Sequence, residues 1–310
     1  MKYLIIGGSG FVGGYLTEKL LSLDDKEVFV TKLPAEEEKY PVMYYDLDIT
    51  DCKQTEMLIA EVCPDVIFHL AAQSSVKLSW EKPQLTADIN IKGAINVLEA
   101  VRKECPKCRL VVIGSSEEYG NIDYSRKVSE ETVPNPRNIY AVTKLAQENL
   151  ASVYAKAYGL DVVLVRAFNH VGPRQSTQFV VSDFCNQVAM IEKGLKDPVM
   201  AVGNLASYRD FLDVRDVVNA YVYLAKKGKS GEVYNVGSGR AIRIEEILDI
   251  ILRQAIKAIR IIVDPDRFRP IDIPIVVADN KKLLNLGWTQ TINIEQTISD
   301  TLNYFREQSI

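Results

Sequence analysis

The sequence has few of the residues that usually build metal centres. It contains only two histidines, His69 and His170, and five scattered cysteines. Cys105 and Cys108 form a single C-x-x-C pair with neither a second pair nor a histidine nearby, whereas a structural zinc site needs about four ligands. We therefore expect no metal site, and we predict that the cysteines are reduced thiols of a cytoplasmic protein.

Long apolar runs and a strong charge excess are also absent. The apolar start, Tyr3-Leu4-Ile5-Ile6, is too short for the hydrophobic region of a signal peptide, and no run of about 18 apolar residues predicts a transmembrane helix. The net charge is only −4 over 310 residues. Composition therefore gives no indication of nucleic acid or a membrane as a partner. The 47% hydrophobic content suffices for a large core in one or two domains.

Short apolar runs alternate with amphipathic segments over the first two thirds of the chain. The pattern predicts strands at Tyr3–Ile6, Glu27–Thr31, Val66–Leu70, Arg109–Gly114 and Val162–Arg166, and helices at Phe11–Leu23, Lys53–Val62, Ala87–Glu104 and Tyr140–Tyr158. Such alternation is typical of a parallel sheet covered on both faces. We therefore expect an α/β fold built on a doubly wound Rossmann sheet.

The alternation loosens beyond Gly172. Helices are predicted at Phe179–Gly194, Val214–Lys226 and Ile244–Ala258, a strand at Val233–Val236, and an irregular, proline-containing loop at Asp264–Pro274. We expect a dinucleotide-binding Rossmann domain made of residues 1–169 plus about 209–240. Residues of about 170–208 plus 241–310 would form a smaller C-terminal lobe that binds the substrate.

Glycines separate the first predicted strand from the first helix. Gly7, Gly10 and Gly13 allow a tight turn and let the backbone approach a pyrophosphate, while the free N–H groups of the helix start attract that anion. Phe11 and Val12 open this helix and would also contact the dinucleotide. The position of the motif, directly after an apolar strand and before an amphipathic helix, makes it specific for dinucleotide binding.

The end of the second strand bears on the choice of cofactor. A site for NAD usually places an acidic residue there to bind the ribose 2′-hydroxyl. This chain has Thr31 and Lys32 instead, and the acids Glu36–Glu38 come later. Since Lys32 could meet a 2′-phosphate, we expect NADP, with NAD as the alternative.

A Tyr-x-x-x-Lys spacing puts a phenol and an ammonium on one helical face. It occurs at Tyr15/Lys19, Tyr140/Lys144 and Tyr223/Lys227. Tyr140 is distinguished by Ser115, which follows an upstream strand, because ligands of open α/β sheets bind outside the carboxyl ends of the strands. We expect Lys144 to lower the pKa of Tyr140, so that the phenol exchanges a proton near neutrality. The other two pairs are expected to be structural or solvated.

With these motifs, the chain resembles the extended short-chain dehydrogenase/reductases, specifically the branch that modifies sugar nucleotides. The resemblance is carried by Gly7–Gly13, His69-Leu70-Ala71-Ala72-Gln73-Ser74, Asn90-x-x-Gly93, Ser115–Gly120, Tyr140–Lys144, Arg166–Pro173, Arg209-Asp210-Phe211 and Tyr234-Asn235-Val236-Gly237. These stretches follow one another over nearly the whole chain.

The resemblance implies a role for each matching residue. Tyr140 would give or take the proton, Lys144 would hold the tyrosine and the nicotinamide ribose, and Ser115 would assist. Asp48 and Ile49 would contact the adenine, and Leu70, Ala71, Ala72, Asn90, Phe168 and His170 would line the rest of the cofactor. Ser74, Ser116, Glu117, Asn169, Arg174, Arg209 and Arg269 would meet the nucleotide-sugar; the arginines suit its diphosphate because guanidinium groups fit phosphate oxygens.

Three reactions share this set of residues: 4-keto reduction, 4,6-dehydration and 4-epimerisation. Glu117 matches the glutamate with which related dehydratases take the C5 proton, and epimerases usually carry small residues there. Ser115, however, replaces the threonine typical of dehydratases, and Ser116 replaces the aspartate of many of them.

The segments Gly114–Gly120, Phe168–Pro173 and Arg209–Asp216 look most like GDP-4-keto-6-deoxy-D-mannose reductases, which yield GDP-D-rhamnose. We expect that reaction, with Glu117 orienting the sugar. The alternatives are a GDP-mannose 4,6-dehydratase, a nucleotide-sugar 4-epimerase, and a non-enzymatic protein that senses NADP.

The same resemblance implies a homodimer joined by a four-helix bundle. The predicted helices Ala87–Glu104 and Tyr140–Tyr158 are the ones that this family pairs. Val97, Val101 and Val153 would then lie on their outward faces, unless these side chains pack on the sheet.

Overall fold

A seven-stranded parallel sheet forms the centre of the computed structural model, which describes residues 1–120, 126–267 and 275–308. In spatial order its strands are Val233–Val236, Asp161–Ala167, Arg109–Ile113, Val66–His69, Lys2–Ile6, Glu27–Lys32 and Met43–Asp46. The chain order reverses between Lys2–Ile6 and Val66–His69. The predicted α/β doubly wound Rossmann sheet is therefore confirmed.

Helices cover both faces of the sheet, as expected for a parallel sheet. Phe11–Leu21 and Val214–Lys227 pack on one face, and Cys52–Val62, Gly93–Glu104 and Ile139–Tyr158 on the other. Shorter helices are Val76–Glu81, Pro83–Ala87 and Lys281–Asn285, with a π-helical turn at Asp88–Lys92 and 3₁₀ turns at Ser116–Glu118 and Pro265–Arg267. The strands are buried on both sides, which explains their continuous Val, Ile and Leu runs.

A separate apolar core lies among the later elements of the chain. It is formed by the helices Val180–Glu192, Ile244–Leu252 and Ile294–Glu307. Three two-stranded pairs accompany them: Asn169–Val171 with Phe211–Asp213, Val199–Val202 with Arg260–Val263, and Tyr208–Arg209 with Ile242–Arg243. This core lies where the smaller lobe is predicted, and the proposed domain boundaries remain a prediction.

Several boundaries and two elements differ from the sequence-based expectation. The helix predicted from Ala87 is preceded by Pro83–Ala87 and contains the π-turn Asp88–Lys92. The helix predicted to reach Ala258 ends at Leu252, because the chain turns there to pair Arg260–Val263 with a neighbouring strand. The edge strand Met43–Asp46 and the helix Ile294–Glu307 were not predicted.

Two of the three valines predicted to face outward are buried. Val97 and Val101 are both 0% exposed and pack in the core beneath the sheet, whereas Val153 is 57% exposed. The expectation for Val97 and Val101 is therefore wrong, because they lie on the inner stripe of their helix. Within the described residues, no helix is both long and apolar enough to span a membrane.

The buried carboxylate of Asp216 should stabilise the fold strongly. It accepts hydrogen bonds from the Thr291 hydroxyl at 2.7 Å and the Ile292 N–H at 2.9 Å, and thus ties the helix Val214–Lys227 to the C-terminal segment. We expect Asp216→Ala to lower the free energy of unfolding by about 3 kcal/mol, because it leaves buried donors unpaired. Chemical denaturation measures this loss. Asp300→Ala, which removes a more exposed ion pair with Arg215, should cost less than about 1 kcal/mol; equal losses would contradict the assignment.

Candidate active site

The glycine turn lies where the strand order reverses, and its geometry fits a pyrophosphate. Gly7 has φ +83°, and a Cβ atom on it would come within 2.7 Å of the Ala71 backbone. A Cβ on Gly13 would approach the Gly8 carbonyl to 2.5 Å. No side chain among the described residues caps the helix at Gly10. The first-turn N–H groups are therefore suited to binding an anion.

The adenosine end of the predicted cofactor site is rich in carboxylates. Lys32 is 8% exposed and places its Nζ 2.8 Å from Asp46 and 3.7 Å from Glu38. Glu36 accepts hydrogen bonds from the Ser9 hydroxyl at 2.6 Å and from the Leu33 N–H at 2.7 Å. A 2′-phosphate that met Lys32 would therefore have to share it with these acids.

The other predicted adenine contacts are ordered locally. The Asp48 carboxylate accepts hydrogen bonds from the Thr50 N–H and hydroxyl at 2.9 and 2.8 Å. Ile49 is buried, and its carbonyl accepts a hydrogen bond from Asn96. Their roles at the adenine remain predictions.

Ser115 and Tyr140 meet above the carboxyl end of the strand Arg109–Ile113. Ser115 directly precedes a 3₁₀ turn, and Tyr140 lies in the first turn of the helix Ile139–Tyr158, which Asn138 caps. The Ser115 hydroxyl hydrogen-bonds the Tyr140 phenol. Burial raises the pKa of Tyr140, and this hydrogen bond opposes the rise. The phenol is therefore protonated at neutral pH and can act as an acid.

Lys144 lies one helical turn after Tyr140 but is directed elsewhere. Its ammonium donates to the Gln147 side-chain oxygen at 2.6 Å. Burial lowers the pKa of Lys144 to about 8, against the raising effect of the nearby Glu118 carboxylate. The expectation that Lys144 lowers the pKa of Tyr140 is not met in this arrangement, because burial of the phenol dominates.

A polar network supports the start of the catalytic helix from the side. Asn90, in the π-turn, donates to the Thr143 hydroxyl at 2.9 Å and to the Gln73 carbonyl at 3.1 Å, and it accepts from the Gln73 N–H. Thr143 in turn donates to the Tyr140 carbonyl. Asn90, predicted to line the cofactor, thus links the Leu70–Ser74 segment to Tyr140.

Glu117 faces the same helix start. Its carboxylate accepts a hydrogen bond from the Asn138 amide at 2.9 Å, while its own N–H donates to the Ser115 hydroxyl. Ser116, next to it, is half-buried. The structure thus brings three of the four predicted catalytic residues, Ser115, Glu117 and Tyr140, into one connected group.

Phe168 and His170 follow the strand Asp161–Ala167. The Phe168 ring is buried and packs against Tyr119. The Nε2 atom of His170 lies 3.2 Å from the Tyr221 hydroxyl. Burial lowers the pKa of His170 to about 4, so the ring is neutral at physiological pH.

The predicted substrate contacts are spread over several environments. Ser74 is exposed, Asn169 donates to the Asp210 carbonyl, and the Arg209 guanidinium donates to the Tyr208 carbonyl. Arg174, with φ +71°, is held 2.7 Å from Glu18 on the first helix. It would have to leave that ion pair to meet a substrate phosphate. Arg269 lies outside the described residues.

The other two Tyr-x-x-x-Lys pairs have structural roles, as predicted. Tyr15 is buried and donates to the Pro173 carbonyl. The Lys227 ammonium lies 4.7 Å from the Tyr223 ring centre.

Sequence reasoning missed the buried residues around the pair. Glu118, Gln147 and Tyr221 gave no signal, because an isolated polar or aromatic residue within a helix or turn predicts no particular partner. Thr143 could have been found, since it lies between Tyr140 and Lys144.

Comparisons with known proteins agree with this geometry. The sequence model of the GDP-mannose 4,6 dehydratase family matches residues 4–301. The chain is 35% identical over 242 residues, 77% of its length, to the GDP-6-deoxy-D-mannose reductase of Pseudomonas aeruginosa, of which this alignment covers 80%. The structure of RMD from P. aeruginosa complexed with NADPH superimposes with a TM-score of 0.88 at 31% identity, covering 99% of both chains. The UDP-glucose 4-epimerase of Thermus thermophilus in complex with NAD gives 0.90 at 31% identity and covers all of both chains.

The carboxylate of Glu36 should weaken binding of a cofactor that carries a 2′-phosphate. We expect Glu36→Gln to tighten NADPH binding roughly fivefold, equivalent to about 1 kcal/mol of relieved like-charge repulsion, and to leave NADH binding unchanged or weaker. Fluorescence titration of the purified protein with each dinucleotide measures both constants. Glu37→Gln serves as a control, because the Glu37 side chain is 82% exposed. Equal tightening of both cofactors would contradict the proposed role.

Proposed function

Because the chain belongs to the GDP-mannose 4,6-dehydratase family, we propose that it is an NADPH-dependent enzyme that reduces the 4-keto group of GDP-4-keto-6-deoxy-D-mannose to give GDP-D-rhamnose. The sugar nucleotide would bind over the carboxyl ends of the strands, beside Ser115 and Tyr140. NADPH is favoured over NADH because the reductase structure that it resembles carries NADPH and because Lys32 lies at the end of the second strand.

The observation that carries the proposal is the protonated Tyr140 phenol on the Ser115 hydroxyl. Reduction needs an acid at this position, whereas the dehydratase and the epimerase must first oxidise C4 and therefore need a base. Glu117 supports the same direction, because its carboxylate is held by Asn138. That hydrogen bond suits a residue that orients the sugar.

The residues would act together as an acid and its supports. When bound, the reduced nicotinamide supplies the hydride that becomes the C4 hydrogen. Tyr140 donates its proton to the oxygen of C4, and Ser115 donates a hydrogen bond to the negative charge that develops there. The Lys144 ammonium lies one turn away on the same helix and offsets the charge of the tyrosinate that remains.

The alternatives differ in what they require. A GDP-mannose 4,6-dehydratase would need Glu117 to leave Asn138 and take the C5 proton. A 4-epimerase would need no carboxylate there. A protein that only senses the NADP pool could keep the glycine turn but would have no use for Tyr140, Lys144 and Ser115 together.

Incubation with defined sugar nucleotides separates these possibilities. With enzymatically made GDP-4-keto-6-deoxymannose, we expect NADPH to be consumed one for one, followed by absorbance at 340 nm and product analysis. Tyr140→Phe should lower kcat by about a hundredfold or more, because no other acid replaces the phenol.

Formation of a keto sugar from GDP-mannose without net cofactor change would instead support the dehydratase. A Tyr140→Phe protein that keeps its function would support the sensor.

We further propose that the protein is a homodimer joined through the outer faces of its paired helices. Val142 and Val153 are 51% and 57% exposed and lie eleven residues apart, about three helical turns, so they share one face of the helix Ile139–Tyr158. Beside it, Trp80 and Ile91 help line an open apolar groove of about 690 Å³. A second copy would cover both through a symmetric contact.

A charge on this face should break the dimer. We expect Val153→Glu to shift the protein from dimer to monomer in sedimentation velocity at micromolar concentration, because the charge would be buried without a partner. Ile256→Glu is the matched control, since Ile256 is 81% exposed and lies far along the chain in the C-terminal part. A native protein that sediments as a monomer would refute the dimer.

A further inference from the structure

A second carboxylate lies beneath the catalytic serine. Glu118 is 0% exposed and belongs to the 3₁₀ turn that follows Ser115. Its Oε1 atom accepts a hydrogen bond from the Ser115 N–H at 2.6 Å. Gly114 leaves room for this contact, because a Cβ atom there would come within 2.5 Å of the same oxygen. The carboxylate therefore fixes the backbone from which the Ser115 hydroxyl projects.

The other oxygen of this carboxylate is buried without compensation. Oε2 of Glu118 has no hydrogen-bond partner within residues 1–120, 126–267 and 275–308. The nearest cation in the same layer, Arg166, lies 3.7 Å away, but its guanidinium already makes two hydrogen bonds with Glu148, at 2.7 and 2.9 Å. Lys144 is the remaining buried cation, and its only hydrogen bond given by the structure is to the uncharged Gln147 amide.

We propose that Glu118 is a positioning residue of the reaction, which holds Ser115 through its backbone and keeps Lys144 charged beneath the crevice. The buried charges then balance, because Lys144 and Arg166 offset Glu118 and Glu148. The inference rests on the proposed roles of Tyr140, Lys144 and Ser115. It does not depend on which sugar is reduced or dehydrated, since every alternative reaction uses the same residues at C4.

The groups around Lys144 support this assignment. His69, from the neighbouring strand, is neutral, because burial lowers its pKa to about 3. Glu118 is the charged group that raises the pKa of Lys144. Burial and the Glu148 charge raise the pKa of Glu118, while the Ser115 N–H, Arg166 and Lys144 lower it. Each of the two buried groups therefore needs the other in order to carry its charge.

A role in capping alone would need less of this residue. Glu118 completes a capping box with Ser115 at the 3₁₀ turn, and a neutral oxygen can accept that hydrogen bond equally well. Glu118→Gln keeps an acceptor for the Ser115 N–H and removes only the charge. This substitution therefore separates capping from the electrostatic role.

The direct test is the titration of Lys144 without any substrate. In protein labelled with ¹³Cε-lysine, the NMR signal that Lys144→Arg removes reports the protonation of this ammonium. We expect Glu118→Gln to lower the pKa of Lys144 by about one to three units, as loss of a close opposite charge does. Glu118→Asp keeps the charge and should leave the titration near that of the native protein.

Glu192→Gln is the matched control, because Glu192 is also buried and paired with an arginine, Arg306, but lies in the C-terminal core. It should leave the Lys144 titration unchanged. If the Gln variant does not fold, Glu118→Asp and Glu118→Asn provide the same comparison of charge. An unchanged Lys144 titration in the uncharged variant would overturn the proposal.

A kinetic measurement provides the second readout. In the pH profile of kcat, measured with whichever sugar nucleotide turns over, the alkaline limb of Glu118→Gln should move to lower pH together with the Lys144 titration, while KM changes little. A lower kcat with an unshifted limb would indicate a purely structural role and contradict the proposal. Absence of reductase activity in the native protein would refute the proposed function and leave the NMR test valid.

Discussion

The hydrogen bond between the Ser115 hydroxyl and the Tyr140 phenol is the contact on which the site depends. It joins the end of a central strand to the first turn of a helix, so it forms only if the sheet register and the helix start are both correct. The parallel register of Arg109–Ile113 with its neighbours sets the first, and the Asn138 cap sets the second. The packing of the sheet is thus translated into the placement of one oxygen.

Burial gives this contact its chemical character. A phenol in water has a pKa near 10, and the enclosure of Tyr140 raises it further. The same enclosure lowers the pKa of Lys144 to about 8. One environment therefore favours the proton on the tyrosine and weakens it on the lysine, because each neutral form avoids the cost of a buried charge. Such a site is prepared to donate a proton from the phenol, provided that a nearby carboxylate keeps the ammonium charged.

How far the sequence predicts this molecule depends on the range of the interaction. The glycine turn, the central strands and the Tyr140/Lys144 spacing are local patterns, and their positions could be read directly. Val97 and Val101 were misjudged because the outer and inner stripes of an apolar helix look alike until the sheet is placed. The Glu118 contact was beyond prediction, because its partners Arg166 and Glu148 come from two later elements.

The arginines show why residue type alone does not identify a phosphate site. Arg174 has the charge and geometry that suit a diphosphate, yet its guanidinium bonds Glu18 and lies 3.8 Å from the Tyr15 ring centre. Arg166 is likewise bound by Glu148. A guanidinium committed to a carboxylate in the folded protein must give up that pair before it binds a phosphate, and the substrate would have to replace the lost interaction. The cations available to a substrate are therefore fewer than the sequence suggests, which places more of the binding on backbone N–H groups such as those at the start of the first helix.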